Sequence, residues 1–381
     1  MLWVYLAFFC WRANLDISNP LFFRVVERFW IQSDLVICIL AALIYGELIG
    51  ILEKYTKKSV QTIGAPFAVI AIGFQLSQTW QSCDQSGNHV IQDFALQNLK
   101  SFPNGSIILT EGDLPSNSFR YFHLCEGVRP DLTVFDQEIL TYAWSLPMLG
   151  HAYPDMVVPG DRWQPYSGVT PEGLVTFTFK DLLDANYDSH QIFACIGVQQ
   201  HEGSWSQGYV LFPFGVCTKI VDARERLSVE GWARETGGLT GGWSYTLGRP
   251  ADGSWEHVAN EEMWRGRTAT GLFYLEQALK PGNDQVAKEL LLKAYEIYNR
   301  EISKYTIEEL PAFWHRNFAI VCDRLSQLST DLNHRELIVN VVKHFRQYTV
   351  KMEPDDADGD RIKDAVVQLQ EYLDNQKEGE S

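Results

Sequence analysis

Apolar residues are concentrated in the first 80 positions, and beyond them they occur in short groups separated by polar residues. The run LVICILAALIYGELIGIL (35–52) contains one charge, Glu47, and the run TIGAPFAVIAIGFQLSQTW (62–80) contains none. A spanning helix needs about 20 largely apolar residues, so both runs predict membrane spans. A shorter run, LWVYLAFFCW (2–11), stops at Arg12 and predicts only the end of a further membrane helix.

The connection between the two full runs predicts how the chain is oriented. EKYTKK (53–58) carries three lysines, and positive charge in a short loop favours the cytoplasmic side of a membrane. Residues after Trp80 would then be luminal or extracellular. The incomplete helix at 2–11 predicts that the chain is the C-terminal part of a longer multi-spanning protein.

The pattern from 82 to 254 predicts an α/β domain. Short β-type runs occur at 107–110, 132–136, 174–179, 192–198 and 209–214, and helical stretches at 90–100, 137–149 and 180–186. Strands that alternate with helices favour a parallel or mixed sheet covered by helices. Proline- and glycine-rich segments at 151–173 and 237–255 predict long ordered loops, the second of them at the domain boundary.

The region 255–376 changes to long amphipathic helices. Helical stretches occur at 254–280, 283–305, 311–329, 333–350 and 356–376. Ser254 is placed to cap the first of them, and their spacing predicts a TPR-like helical repeat region. His344 and Arg346 are expected on a solvated face, and residues 377–381 as a disordered tail.

Charge and cysteine content narrow the function. The net charge of -16 argues against nucleic-acid binding, because little would neutralise phosphates. Five cysteines follow the membrane part, which suits two disulfides and one free thiol in an oxidising compartment. The predicted pairs are Cys83–Cys125 and Cys195–Cys217, with Cys322 free; five buried thiols in a reducing compartment is the alternative.

Few local patterns point to soluble catalysis. The sequence has no P-loop, GxGxxG or HExxH motif, and its nine histidines lack metal-ligand spacing, so no metal site and no cofactor are predicted. Asn104-Gly105-Ser106 is an N-glycosylation acceptor, which agrees with a luminal position.

The stretch TEGDLPSNSFRYFHLCEGVRPDL (110–132) reads as strand, loop, short helix, turn and strand. Glu111 and Asp113 would lie at the carboxyl end of a strand, where ligands bind in open α/β sheets. The alternative is structural, since Gly112-Asp113 and Arg129-Pro130-Asp131 are also ordinary turn residues. Glu111, Asp113 and Arg129 are therefore the candidate site residues of this domain.

Two arginines precede the first full apolar run. Arg24 and Arg28 lie in RVVERFWIQSD (24–34), where they would anchor a helix at the membrane interface. The alternative is that they hold the phosphate of a lipid-linked donor, because a guanidinium presents a planar fork of donors.

Several long segments closely resemble the transmembrane protein 260 family, and the resemblance runs along essentially the whole chain. They are ANLDISNPLF (13–22), VVERFWIQSD (25–34), CDQSGNHVIQDFA (83–95), GDLPSNSFRYFHLCEGVRPDL (112–132), VFDQEILTYAW (134–144), PGDRWQP (159–165) and SWEHVANEEMW (254–264).

This resemblance implies a multi-spanning glycosyltransferase of the GT-C type, resident in the membrane of the endoplasmic reticulum. The implied activity is protein O-mannosylation, with dolichyl phosphate mannose as the donor. The implied acceptors are IPT-type modules in the ectodomains of plexins and MET-type receptors. A carboxylate general base would assist attack of a Ser or Thr hydroxyl on the anomeric carbon.

The sequence departs from that family in one respect. The catalytic acidic residue of GT-C enzymes lies in the first luminal loop, and no Asp or Glu of this sequence matches it, so no catalytic residue is assigned and the chain alone is expected to be inactive. Two readings follow: the membrane-to-lumen portion of an O-mannosyltransferase, or a non-catalytic, membrane-anchored luminal protein-binding module.

Overall fold

The protein is described here by a computed structural model. The described residues are 4, 7–8, 11–12, 15–57, 59–142, 144–198, 203–225, 229–243, 250–251, 253–328, 333–352 and 356–379. The predicted partial helix at 2–11 falls largely outside this set, as does the middle of the predicted loop at 237–255.

The chain folds as two compact units. The first is Met1–Gln92 with Tyr245–Asn260, and the second is Asp93–Ser244 with Glu261–Ser381. The sheet and the C-terminal helices both lie within the second unit, and the boundary at 254 stays a prediction.

Helices dominate the first unit. They are α1 (Pro20–Glu27), a 3-10 turn (Arg28–Trp30), α2 (Ile31–Thr56) and α3 (Val60–Cys83). The segment Val25–Thr56 is long and apolar enough to cross a membrane, and no other helix among the described residues meets both conditions. Helix α3 forms over the second predicted span and exposes apolar side chains such as Phe67 and Phe74.

The second unit contains eight strands and ten helices among its described residues. The strands are β1 (Ile107–Thr110), β2 (Thr133–Asp136), β3 (Arg162–Trp163), β4 (Gly168–Val169), β5 (Val175–Phe177), β6 (Ile192–Cys195), β7 (Tyr209–Phe214) and β8 (Cys217–Asp222). The helices, two of which begin in the first unit, are α4 (Val90–Ser101), α5 (Asp113–Arg120), α6 (Ser145–Ala152), α7 (Phe179–Asn186), α8 (Val229–Thr236), α9 (Trp255–Ala278), α10 (Asp284–Ile302), α11 (Ala312–Leu328), α12 (His334–Lys351) and α13 (Gly359–Gly379).

The main sheet has the order β2-β1-β6-β8-β7. β1 pairs in parallel with β2 on one side and β6 on the other, and all four residues of β1 and of β6 are buried. Buried parallel strands carry unbroken apolar runs because helices cover both faces. β8 and β7 add an antiparallel hairpin, so the predicted mixed sheet is confirmed.

The sequence pattern missed three strands. β8 reads CTKIVD, a mixture without a clean period of two, and it follows β7 through a turn in which Gly215 has a φ of 64°. β3 and β4 lie inside the segment 151–173 that was expected to be a loop, and with β5 they form a small sheet of order β3-β5-β4.

One of the two predicted disulfides is present. Cys195 and Cys217 are opposite each other in the β6–β8 ladder and are bonded. Cys83 and Cys125 are exposed free cysteines, so the predicted Cys83–Cys125 pair is wrong. Sequence spacing alone does not determine which cysteines pair. Cys322 is a buried free thiol, as predicted, and its burial raises its pKa.

Helices α9 to α13 form a helical layer with its own apolar core. Tyr298, Phe318 and Val341 lie at its centre and are almost completely buried. Consecutive helices pack against each other, while the TPR-like relation stays a prediction. Ser254 caps α9 as predicted, since its Oγ accepts from the His257 amide at 3.1 Å. Helix α13 continues to Gly379, so residues 377–379 are helical and not a disordered tail.

Helix α9 contacts the β7–β8 turn of the sheet through a glycine, Gly266, which lies against Gly215 and the backbone of Val216. A Cβ placed on Gly266 would lie 2.9 Å from the carbonyl carbon of Gly215 and from the amide nitrogen of Val216. Beside this contact Trp232 of α8 meets Phe212 of β7 and Phe273 of α9, with ring centroids 5.9 and 5.0 Å apart. Phe212 of the sheet thus packs against the apolar core of the helical layer.

A buried histidine pair joins α11 and α12. The Nδ1 atoms of His315 and His344 are 2.9 Å apart, and neither side chain is more than 2% exposed. His315 Nε2 lies 3.1 Å from the Ile307 carbonyl and must donate to it, so its Nδ1 accepts and His344 Nδ1 donates. The prediction that His344 lies on a solvated face is wrong. The pattern of apolar residues along α12 does not show that a polar side chain is buried when its partner lies on another helix.

Gly266→Ala is expected to destabilise the second unit by about 2 kcal/mol, because the added methyl group enters the backbone of the β7–β8 turn. Thermal unfolding measures the loss. Gly150→Ala in α6 is the matched control, since a Cβ there meets nothing within 4 Å, and it should be neutral or slightly stabilising. Equal stability of both variants would contradict the close approach of α9 to the turn.

The histidine pair should make stability depend on pH. Burial lowers the pKa of His315 and of His344 below the ordinary value of 6.5, so the unfolded chain binds more protons below that pH. The stabilisation is complete above pH 6.5 and decreases as the pH falls, by about 2 kcal/mol at pH 5.5. Chemical unfolding at a series of pH values tests this. His315→Gln/His344→Gln should flatten the dependence, whereas His151→Gln, at an exposed position, should leave it intact.

Candidate functional site

Three parallel strands end together at one edge of the main sheet, here called the carboxyl edge. Glu111 follows β1, Gln137 follows β2 and Ile196 follows β6. β1 comes first in the chain, and its two parallel partners, β2 and β6, lie on opposite sides of it. The chain segments that follow β1 and lead to these two strands therefore run to opposite sides of β1. In open α/β sheets, ligands bind at such a switch point, and Glu111 lies where the sequence predicted.

Hydrogen bonds hold the three strand ends together. The Glu111 amide donates to the Cys195 carbonyl at 3.2 Å. The Gln137 side-chain amide donates to the Gly197 carbonyl at 3.1 Å, and this side chain is buried. A Cβ on Gly197 would lie 3.2 Å from Glu111 Oε2, so the half-buried carboxylate lies against the backbone that leaves β6.

That backbone is strained. Ile196 has a φ of 61° and Gly197 a φ of 114°. Glycine adopts such angles freely, but for a β-branched residue a positive φ is a true outlier that costs about 1–3 kcal/mol. Strained residues of this kind cluster at functional sites.

The edge is predominantly acidic. Asp113 is exposed at the first position of α5, and Asp136 ends β2 with its carboxylate 3.7 Å from the Arg120 guanidinium. Glu111, Asp113 and Asp136 thus place three carboxylates at or just beyond the ends of β1 and β2. Carboxylates accept hydrogen bonds from hydroxyl and amide donors, so the arrangement suits a neutral, hydroxyl-bearing ligand better than an anion.

Arg129 lies at the opposite, amino edge, beside the start of β1, and does not join this group. It has a φ of 55°, and its guanidinium is committed to the chain itself. It donates to the carbonyls of Leu99, Phe102 and Pro103, to Asn104 Oδ1 and to both carboxylate oxygens of Asp131. These bonds hold the pKa of Asp131 at about 2. The arrangement is a clamp between α4 and the approach to β2.

Of the other predicted residues, Arg24 and Arg28 belong to the first compact unit and Asn104 to the second. Arg28 is exposed in the 3-10 turn at the start of the membrane-length helix, beside Trp30, whose ring contacts Phe23 edge-to-face. The side chain of Arg24 lies outside the described residues. Asn104 is exposed in the turn before β1, as a glycosylation acceptor must be.

Sequence reasoning missed Gln137 and the Ile196-Gly197 pair. Gln137 was expected to start a long helix, and Ile196-Gly197 to continue a strand that in fact ends at Cys195. The only available signal was that each directly follows an apolar run, as Glu111 does. Among the described residues, no group of three or more His, Cys, Asp or Glu is placed to hold a metal.

The fold and this edge define an α/β protein with a membrane-length helix near its N-terminus and acidic side chains at a topological switch point of its sheet. The chain is 39% identical over 367 residues to the mouse protein O-mannosyl-transferase TMEM260, a match that covers 95% of this chain and 51% of the relative. It is 27% identical over 234 residues to the Dictyostelium discoideum protein O-mannosyl-transferase tmem260, covering 58% of this chain and 28% of that protein.

The chain belongs to the TMEM260 family. It spans about half the length of the mouse relative. No protein-family model matches it, and no solved structure matches it.

Proposed function

We propose that this chain is part of a membrane-bound protein O-mannosyltransferase and supplies the domain that binds the acceptor. The observation that carries the proposal is the 39% identity to the mouse transferase along 95% of this chain. That match includes both the membrane-length helix and the sheet with its carboxyl edge.

The membrane part would serve the donor, dolichyl phosphate mannose. Two features support this. Arg28 lies near the N-terminus of the membrane-length helix Val25–Thr56, and Trp30 beside it is a residue typical of the membrane interface. Helix α3 would be the second span, since its apolar side chains are exposed and Trp80 lies near its end. The lysines at 54, 57 and 58 would then be cytoplasmic. The second unit would lie on the opposite side of the membrane, which is the lumen for a protein of the endoplasmic reticulum.

The carboxyl edge would bind the acceptor, a Ser- or Thr-bearing surface on an IPT-type module of a plexin or MET-type ectodomain. Glu111 and Asp113 provide carboxylates, and strained backbone at Ile196 lies beside them. Carboxylates accept hydrogen bonds from peptide amides and hydroxyl groups. The acidic edge therefore orients the hydroxyl-bearing segment of the acceptor. Its negative charge disfavours binding of the donor, whose phosphate is also negatively charged.

In the transfer itself, the acceptor oxygen attacks the anomeric carbon of mannose, the bond from that carbon to the phosphate oxygen breaks, and a base removes the hydroxyl proton. Family resemblance assigns the base to a luminal loop that no Asp or Glu of this sequence matches. This chain thus contributes binding and orientation to the proposed reaction. The alternative is a non-catalytic luminal binding module. It would bind a protein partner at the same carboxyl edge, but no mannose would be transferred.

Glu111→Gln is expected to weaken binding of a purified IPT-type ectodomain by about tenfold, because a charge-assisted hydrogen bond is lost. The Gln amide is nearly isosteric, so thermal unfolding should change little. Glu371→Gln, which removes the same charge at an exposed site in α13, is the control. Unchanged binding in Glu111→Gln, or an equal loss in Glu111→Gln and in the control, would exclude the carboxyl edge as the acceptor site.

A turnover assay separates the proposed enzyme from the binding module. The 381-residue chain in detergent, given dolichyl phosphate mannose and an acceptor domain, should bind the acceptor without transferring mannose. The full family member should transfer it, and should lose activity with Glu111→Gln. Turnover by the 381-residue chain alone would contradict the assignment of the base outside it. Absence of transfer by the long protein would favour the binding module, and full activity with Glu111→Gln would exclude the carboxyl edge as the acceptor site.

A further inference from the structure

Two exposed aromatic rings follow the 3-10 turn Gln137–Thr141, which begins where β2 ends at the carboxyl edge. Tyr142 is 44% exposed and Trp144 is 67% exposed. Their ring centroids are 6.0 Å apart, the ring planes are inclined by 29°, and neither ring contacts a further aromatic ring among the described residues. Stacking covers at most one face of each ring, so the outer faces are open to solvent. Trp and Tyr are the side chains most enriched at the energetic centres of protein interfaces.

Backbone and core contacts fix the segment that carries these rings. The Tyr142 amide donates to the Ile139 carbonyl at 3.1 Å, and the Ser145 hydroxyl lies within hydrogen-bond distance of the Ile139 and Tyr142 carbonyls. Leu140 and Leu146, on either side of the rings in sequence, are buried in the core beside the sheet. The rings are therefore held in place before a partner arrives, which lowers the entropy cost of binding.

A carboxylate lies beside the ring pair. Glu138 is exposed, and its amide donates to Asp136 Oδ1 at 2.9 Å, which fixes the backbone where β2 ends. The Glu138 carboxylate accepts from the Tyr142 hydroxyl at 3.4 Å, a long and weak hydrogen bond. Among the described residues it has no further hydrogen bond or ion pair, so it is able to accept from a partner.

Two arginines reach this neighbourhood, and each of them already faces another carboxylate. The Arg120 guanidinium is 3.7 Å from the Asp136 carboxylate. Strand β3 contacts the 3-10 turn that follows β2, and its Arg162 interacts with Glu172. Glu138 therefore remains as negative charge next to the rings.

The rings and the carboxylate together match a cation. The face of an aromatic ring attracts the charged group of Lys or Arg, most strongly when the ring is that of Trp, and a carboxylate adds a charge-assisted hydrogen bond. An apolar partner would remove water from Glu138 without replacing its hydrogen bonds, and an anionic partner would be repelled. The net charge of -16 also attracts a cationic partner from a distance.

We propose that Glu138, Tyr142 and Trp144 form a docking surface for an arginine- or lysine-bearing segment of a protein partner. The cationic side chain stacks on the outer face of Trp144 and donates to the Glu138 carboxylate. This docking requires no mannose transfer. Only the identification of the partner with the acceptor rests on the proposed function, because the surface continues the carboxyl edge at which Glu111 would bind the acceptor.

Fluorescence anisotropy of a labelled, serine-containing peptide with two arginines tests the surface, with the whole chain in a lipid nanodisc. The control peptide carries citrulline in place of each arginine, which keeps the shape and removes the charge. The arginine peptide should bind saturably, and the citrulline peptide at least about tenfold more weakly.

Two variants assign that binding to the ring pair and its carboxylate. Trp144→Leu keeps an apolar side chain and removes the aromatic face, and Glu138→Gln removes the charge. Each should lower the affinity for the arginine peptide about fivefold or more, and Trp144→Phe should retain most of it. Tyr55→Leu, at an exposed aromatic residue near the end of α2, is the matched control and should bind as the unmodified chain does.

Four results would overturn the docking surface. They are no saturable binding of the arginine peptide, equal affinity for the citrulline peptide, an affinity of Trp144→Leu equal to that of the Tyr55→Leu control, and binding in detergent that is lost in the nanodisc, which would mean that the rings face lipid. Light scattering that shows a dimer converted to a monomer by Trp144→Leu would instead assign the rings to contact between two copies. Both substituted side chains are exposed, and thermal unfolding checks that each variant is folded.

Kinetics of the full family member separate this inference from the proposed function. If the partner is the acceptor, Trp144→Leu should raise the KM for the acceptor domain about fivefold and leave kcat unchanged, because it removes binding shared by the ground state and the transition state. Peptide binding without any transfer by the long protein would contradict the proposed function and leave the docking surface in place. An unchanged KM in a variant that has lost peptide binding would show that the docked partner is not the acceptor.

Discussion

The contact between Gly266 and the β7–β8 turn is the constraint on which the second unit depends. With no side chain at this position, α9 lies directly against main chain, and the aromatic residues Phe212, Trp232 and Phe273 close around the contact. Through Phe212 the sheet thereby packs against the apolar core of the helical layer. A cavity of about 240 Å³ lies at the same junction, with Gly215, Gly237 and Gly266 among the residues that line it.

Much of the local structure could be predicted from the sequence. β1 and β7 coincide with the apolar runs at 107–110 and 209–214, and the helical stretches beyond 254 match α9 to α13 within a few residues. These elements have strong periodicity or unbroken apolar character, and burial of their faces outweighs weaker local preferences. β8 was missed because its residues alternate poorly and its partner lies across a turn.

The site was only half predictable for a related reason. Glu111 could be placed at a strand end from local pattern, but its neighbours could not, because strand order determines which ends meet. Gln137 and Gly197 lie 26 and 86 positions further along the chain, and only the order β2-β1-β6 brings them together. Arg129 looked like a functional arginine in the same loop, and the structure instead uses it to tie α4 to the approach to β2. The burial of His344 could not be predicted for the same reason, since it depends on a hydrogen bond to His315 on another helix.

The position of Asn104 has a consequence for the surface of the domain. It lies in the turn before β1, whereas Glu111 follows the end of that strand, and four extended residues separate the two ends by about 13 Å. A glycan attached at Asn104 would spread over the amino edge, around the Arg129 clamp. It would shield that side of the domain from other proteins and leave the acidic side uncovered for a large partner to approach.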